Sequence, residues 1–254
     1  MSLYRRDAGI WKNAQNQYSR QSGVWKNING GYIRDAGIWK PYLQHTLPAL
    51  FCKLNVDTRT STYLTDVTGN GRNFSLTGTP TYSTGKNGTN CIDFNGSNGL
   101  FNSNFAFNPR TENITIVGWW KFNNVSQAVQ SMYRTHGDGL EISLNYNKLR
   151  ITTLASGGGV IVQSSKIQSA NVWTFIALVW DVNAHIIKLY TAQVGESSPT
   201  LVASAAPNGL INELTYPSFY IVLDWAEQVY GHLDDIRIYK NVLTQPQLDY
   251  LYHV

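Results

Sequence analysis

Residues 231–239 read Gly-His-Leu-Asp-Asp-Ile-Arg-Ile-Tyr, and their apolar positions change parity at the two adjacent acids. Leu233 lies on one parity and Ile236 and Ile238 on the other, so a regularly alternating strand cannot send all three into one core. A β-bulge at Asp234 and Asp235 resolves the conflict, because one extra residue resets the register and re-aims the side chains beside it. Both carboxylates can then face a neighbouring loop. Downstream, Thr244, Gln245, Pro246 and Gln247 predict a helix start, with Thr as N-cap, Gln three residues on and Pro in the first turn. Leu248, Leu251 and Tyr252 continue it as a short apolar stripe.

Residues 114–122 form the strongest central strand. Ile114, Ile116, Trp120 and Phe122 share one face, Thr115, Val117, Trp119 and Lys121 the other, and Gly118 leaves room for a neighbour. Apolar residues on both faces are expected in the middle of a sandwich. Further strand-like runs occupy 49–56, 91–94, 139–145, 148–154, 159–163, 173–181, 185–193 and 219–225, punctuated by Gly, Asn and Pro. Helical periodicity is confined to the stretch after residue 244. The pattern predicts an all-β fold of two antiparallel sheets with a short C-terminal helix.

The first forty residues repeat at a step of 14. Residues 4–12, 18–26 and 32–40 carry Tyr, Arg, Gly, Trp and Lys in register, with a β-branched residue before each Trp. Each copy reads as a β-hairpin whose Gly supplies the turn. One such hairpin is marginal in water, so three must share an apolar surface. Trp11, Trp25 and Trp39 are the candidates for it, with Arg6, Arg20 and Arg34 able to stack on them. The domain plan is therefore three hairpin repeats over 1–43 serving docking or oligomerisation, a linker over 44–48 and a β-sandwich over 49–254.

The formal net charge of +4 is spread along the chain rather than clustered, which argues against a nucleic-acid partner. The sequence holds no apolar run long enough to span a membrane and no signal-peptide core behind its first arginines. Cys52 and Cys91 sit in apolar strand-like runs without metal-site spacing and read as buried free thiols.

The aromatic-x-Arg-x-x-Gly-x-Trp-Lys repeats resemble those of bacteriophage tail and structural proteins. From residue 49 to 252 a second resemblance applies. Asp66-x-Thr68-Gly69-Asn70-Gly71, Phe94-x-Gly96, Ile116-x-x-Trp119, Trp173-x-x-Ile176-Ala177 and the 231–239 run follow the order and rough spacing of laminin-G-like, concanavalin-like jelly-roll modules. That family implies a binding module for carbohydrate or protein and, in many members, a structural calcium. Carried onto this chain, the calcium site falls on Asp66, on the turn at Gly69, Asn70 and Gly71, and on Asp234 and Asp235, whose oxygens suit a hard cation. The alternative is that Asp66 caps its own turn and the Asp pair binds backbone amides or Arg237.

A glycan requires an exposed aromatic platform with polar groups nearby, or a calcium ligand shared with sugar hydroxyls. Tyr133, Arg134, His136 and Asp138 before Gly139, and Trp225 with Glu227 before the last strand, are the candidate ligand-binding residues, and the sequence does not choose between the two loops. Catalysis is not expected, because the closely spaced acids of the related glucanases are missing and Glu141 stands alone. Together the two resemblances imply a virion protein of a tailed phage, assembled in the host cytoplasm: a fibre, spike or tail adhesin. Its repeats would dock other virion proteins or form a homo-oligomer, a trimer by the usual arrangement of fibres, and its jelly roll would bind a host surface glycan or another protein. A purely structural decoration or adaptor protein and a glycan-degrading enzyme are the alternatives.

Overall fold

The computed structural model describes residues 47–254 other than 104, 106, 128, 136–138, 154–158, 208–217 and 223–228, together with the backbone of short strands in the first 46 residues. The chain divides into two compact units, Met1–Leu47 and Pro48–Val254.

In the first unit β1 (Arg5–Asp7), β2 (Ile10–Lys12), β3 (Gln17–Gln21) and β4 (Val24–Asn27) form a four-stranded meander, and β5 (Gly31–Asp35) pairs with β6 (Ile38–Tyr42). Each repeat spans one hairpin. The register sets Arg6 opposite Trp11, Arg20 opposite Trp25 and Arg34 opposite Trp39. The side chains of these six residues lie outside what is described.

The second unit contains β7 (Cys52–Asn55), β8 (Tyr63–Asp66), β9 (Phe74–Thr77), β10 (Thr81–Thr84), β11 (Asn90–Asn95), β12 (Gly99–Asn102), β13 (Ile114–Phe122), β14 (Gln130–Thr135), β15 (Leu140–Asn145), β16 (Lys148–Thr153), β17 (Val160–Ile167), β18 (Thr174–Asp181), β19 (Ile186–Gln193), β20 (Thr200–Ala205), β21 (Phe219–Ile221), β22 (Tyr230–Tyr239) and the helix α1 (Gln245–His253). One antiparallel sheet runs β10-β11-β22-β13-β18-β19-β20, with β7 replacing β11 beside the C-terminal half of β22. The other runs β8-β9-β12-β21-β14-β15-β16-β17. Leu54 and Asp66, paired between β7 and β8, join the two sheets at one edge. The result is a jelly-roll sandwich. Among the described residues no helix is long and apolar enough to cross a membrane.

The core lies between the sheets and is built on aromatic contacts. Trp120 from β13 donates its indole N–H to the Tyr133 hydroxyl of β14 at 2.9 Å, a buried bond from one sheet to the other. Phe219 packs on Tyr133 at 6.4 Å and on Phe105 at 4.9 Å between ring centroids. Each large side chain fully removed from water in this way contributes roughly 1.5–3 kcal/mol. Ile114, Ile116, Trp120 and Phe122 all face this core, as their parity predicts. A Cβ added at Gly118 would lie 3.1 Å from the Tyr133 hydroxyl, so the glycine makes room for that contact.

The parity break in β22 is absorbed by a bulge. Arg237 pairs with Val117 and Asp234 with Trp119, so Asp235 and Ile236 together face the single residue Gly118. Asp235 takes the left-handed backbone conformation, with φ 47°. Leu233, Ile236 and Ile238 are consequently all buried in one core.

On the outer face of the same sheet, α1 seats Tyr252 against Trp119 at 5.3 Å, and its hydroxyl donates to the carbonyls of Gln193 and Glu196. At the start of α1, Gln247 Oε1 accepts from the Thr244 amide at 2.8 Å, the return bond of a capping box. The strand β14 differs from expectation, because 130–135 reads as a polar loop. Gln130 and Thr135 are buried but paired: the Gln130 side chain donates to the Asn124 carbonyl and accepts from the Tyr230 amide, and the Thr135 hydroxyl accepts from the Leu140 amide. Paired polar groups are tolerated in a core, which a reading of hydropathy misses.

If the left-handed conformation at Asp235 is what holds the register, Asp235→Gly and Asp235→Ile, which lose the same carboxylate, should differ in stability. Urea unfolding is expected to place D235I roughly 1–3 kcal/mol below D235G, since a β-branched residue is strained there. Equal midpoints would show that the bulge does not depend on that conformation.

Candidate functional site

The edge where β22 exchanges β11 for β7 opens a polar hollow. Asp235 accepts from Arg237 through both carboxylate oxygens, Nε at 2.9 Å and Nη2 at 2.5 Å, and its Oδ1 lies 3.5 Å from Lys53 Nζ. Asp234, on the wall of the same hollow, is covered by the turn before β11, where its Oδ2 accepts from the Lys86 amide at 2.9 Å. A side chain at Gly85 would collide with that carboxylate, at 2.3 Å. Burial pushes the Asp234 carboxyl up, against the pull of the Lys86 and Asp235 amides. The hollow, about 180 Å³, is walled by Lys53, Asn55, Asn87, Asn90, Asp235 and Arg237.

Asp57 connects it to a larger open cleft of about 600 Å³. Here the chain makes a tight 3-10 turn, Val56–Thr58, capped by the Asn55 side chain, which accepts from the Asp57 amide at 2.8 Å. The turn projects Asp57 to one side, where it accepts from the Asn90 side-chain amide, and Arg59 to the other. Arg59 lays its guanidinium 3.7 Å above the Tyr82 ring and donates to the Val56 carbonyl at 2.9 Å. Thr60, Ser61 and Thr79 add hydroxyls to the same walls. The Tyr82 ring packs its inner side on the core, and burial raises its hydroxyl pKa. A carboxylate, a guanidinium, hydroxyls and one fixed aromatic ring on a concave surface suit a polar, multiply hydroxylated ligand.

The residues singled out for calcium do not converge. Asp66 Oδ1 accepts from the Lys53 amide, the Thr68 amide and the Thr68 hydroxyl at 3.1, 3.0 and 2.7 Å, and Oδ2 from the Arg72 amide at 3.1 Å. These donors fill the lone pairs that a cation would take. Asp66 thus caps its own turn, with Gly69 and Gly71 at positive φ and the Asn70 side chain donating to the Phe51 carbonyl. Asp234 is spent on amides and Asp235 on Arg237 and Lys53, so the three acids do not form the shared cage that the resemblance implies.

Among the candidate ligand residues, Tyr133 is a correction. It is 1% exposed in the core, held there by Trp120 and Phe219, and offers no platform. Arg134 is a half-buried strand residue opposite Glu141 and Tyr220. Glu141 is buried, with Arg150 Nη2 at 4.0 Å. His136, Asp138, Trp225 and Glu227 lie outside the described residues. Arg59 and Tyr82 escape a sequence reading because 23 positions separate them and neither sits in a motif; the density of Thr, Ser and Asp over 57–62 is the one available signal.

The sequence model described as the concanavalin A-like lectin/glucanases superfamily matches residues 94–249. No curated protein matches the chain in sequence. Among solved structures it is similar to the binding domain of Paraclostridial Mosquitocidal Protein 1, at 17% identity and TM-score 0.62, covering 80% of this chain and 52% of that one. The botulinum neurotoxin serotype D ligand-binding domain, solved with N-acetylneuraminic acid, is similar at 15% identity and TM-score 0.59, covering 81% and 50%. Domain 4 of AbnA, an extracellular arabinanase from Geobacillus stearothermophilus solved with arabinotriose, is similar at 20% identity and TM-score 0.58, covering 80% and 97%. The chain thus spans about half the length of the toxin binding domains that it matches.

Burial pushes the Asp66 carboxyl up, but its bonds to Thr68, Lys53 and Arg72 outweigh this and leave its pKa below the ordinary value. Its ionised form therefore contributes stability above about pH 4, lost as the pH falls through the depressed folded value. Asp66→Asn is expected to cost roughly 1–3 kcal/mol at pH 7 and to flatten the acid limb of Tm against pH, because its amide faces donors. An acid limb unchanged from the parent would refute the capping role. Added calcium is expected to leave Tm unchanged; a rise that Asp66→Asn abolishes would restore an ion there.

Proposed function

The chain belongs to the concanavalin A-like lectin/glucanases superfamily, and we propose that its second unit is a glycan-binding module whose ligand occupies the cleft between Asp57, Arg59 and Tyr82. The observation that carries this reading is the cleft itself, which sets a ring, a guanidinium and a carboxylate around about 600 Å³ of open space. The oligosaccharide and sialic acid named with two of the similar structures support a sugar as its ligand class. Sugars are held by hydrogen bonds to hydroxyl pairs and by apolar contact of ring C–H groups, and the cleft supplies partners for both. With Arg59 resting on Tyr82, a sugar would contact the ring edge or displace the guanidinium.

We infer further that the chain is a virion component of a tailed phage, a fibre, spike or adhesin. The three hairpin repeats support this through their likeness to phage structural proteins. In this reading they join the module to other virion proteins or to copies of itself, and the cleft adsorbs to a host surface glycan.

A glycan array probed with the full chain, followed by titration of the strongest hit, tests the module. Arg59→Ala and Asp57→Ala are each expected to weaken binding at least about tenfold with Tm little changed, the loss of one or two charge-assisted hydrogen bonds. Undiminished binding by both variants would exclude the cleft. Light scattering on the full chain is expected to give a trimer mass; a monomer would exclude oligomerisation through the repeats.

A further inference from the structure

We propose that Cys91, Asp93 and His232 form a binding site for a divalent transition-metal ion of the zinc class, pinning β11 to β22 on the outer face of the sheet. The site is separate from the Asp57–Tyr82 cleft, and its test does not depend on glycan binding.

Strand alternation places the three ligands. Ile92 and Leu233 are core residues, so their neighbours Cys91, Asp93 and His232 point outward. Asp93 and His232 are direct partners across β11 and β22, and Cys91 is two positions from Asp93 along the same strand. Across β10 and β11, Ser83 is the partner of Cys91. A ligand pair of this kind escapes sequence reading, because the close pair is spaced for a strand and the third member lies 139 positions further on.

The three donor atoms converge on a point. Cys91 Sγ, Asp93 Oδ1 and His232 Nδ1 all lie within 4.8 Å of one another, and no other such group of three occurs among the described residues. Sγ is 3.6 Å from Oδ1 and 4.0 Å from Nδ1, and Nδ1 is 2.5 Å from Oδ1. A tetrahedral zinc ion, with bonds of ~2.3 Å to sulfur and ~2.0 Å to nitrogen and oxygen, sets its ligand atoms roughly 3.3–3.7 Å apart. The sulfur is already near that spacing, and a shift of under about 1 Å between the imidazole and the carboxylate completes it. Ser83 Oγ, at 2.7 Å from Oδ1, 3.2 Å from Sγ and 3.4 Å from Nδ1, stands on the fourth side, where it or a water can close the shell.

The same geometry argues against a nucleophilic cysteine. A relay from carboxylate through imidazole to thiol uses the two ring nitrogens in turn, with the acid on one and the thiol on the other. Here acid and thiol both approach Nδ1, so the imidazole cannot pass a proton between them. On binding, the thiol proton leaves to solvent as the metal–sulfur bond forms. Sulfur with imidazole and carboxylate is a donor set for zinc or cobalt rather than for calcium. The side chains of Asp93 and His232 retain 19% and 17% exposure, which leaves an entry path, while Trp173 flanks the imidazole at 6.2 Å.

Chelator-treated full-length protein titrated with cobalt(II) is expected to bind one equivalent with the sulfur-to-cobalt charge-transfer absorption of a thiolate ligand, and zinc(II) is expected to raise Tm. Cys91→Ser should lose the absorption and bind at least about 100-fold more weakly, whereas Cys52→Ser should keep both properties. His232→Gln and Asp93→Asn retain the thiol and should each weaken binding at least about tenfold, which keeps the proposal testable if Cys91→Ser fails to fold. Absence of the charge-transfer band in the parent protein, or cobalt affinity in Cys91→Ser or His232→Gln equal to the parent's, would overturn it.

Discussion

The sandwich depends on a single extra residue in β22. That strand is bonded to β13 along most of one edge and to β11 and then β7 along the other, so it holds together the sheet that carries half of the core. Without the bulge, either Leu233 or the pair Ile236 and Ile238 would face outward. The left-handed turn at Asp235 lets all three enter the core, at the cost of placing two adjacent carboxylates within one strand. The surroundings accommodate both. Gly85 leaves space for Asp234 beneath the turn before β11, and Arg237 and Lys53 neutralise Asp235.

The exchange of partners on the second edge of β22 also shapes the surface. Where β11 ends and β7 begins, no strand fills the gap, and the turn at residues 85–90 and the 3-10 turn after β7 line it instead. The polar hollow and the adjoining cleft thus follow from the sheet topology, with Asp57 common to both. Upstream of the bulge the same strand is flanked closely by β11, and there alternation gathers Cys91, Asp93 and His232 on the outer face. Beside the bulge, Trp119, the partner of Asp234, lies between Tyr252 of α1 and the ammonium of Lys86, 4.2 Å from its ring, so the C-terminal helix closes over the sheet there.

Much of this is legible in the residues. The parity of Leu233, Ile236 and Ile238 requires a bulge, the alternation over 114–122 defines both faces of β13, and Thr244 with Gln247 marks the start of α1. These signals are local, and each follows from backbone geometry that acts within a few residues. The identity of Tyr133 is not local in that sense. Beside Arg134 and close to His136 it reads as part of a polar loop, yet Trp120 supplies a hydrogen bond to its hydroxyl from the opposite sheet and makes its burial favourable. Gln130 is buried for the same reason, its amide satisfied at both ends.

The acids show the division most clearly. By sequence, Asp66, Asp234 and Asp235 are carboxylates in segments that the family resemblance pairs, and an ion between them is a natural expectation. In the fold the lone pairs of Asp66 are taken by donors of its own loop and by the Lys53 amide of β7, while the two acids of the bulge take different partners, Asp234 the Lys86 amide and Asp235 the Arg237 guanidinium. By itself the sequence determined the all-β class, the hairpin repeats, the position of the bulge and the closing helix, since periodicity and turn chemistry are properties of neighbouring residues. Which side chains meet across strands 139 positions apart, and whether a carboxylate finds amides, a guanidinium or a cation, was decided by the tertiary structure alone, because those encounters depend on sheet order and register.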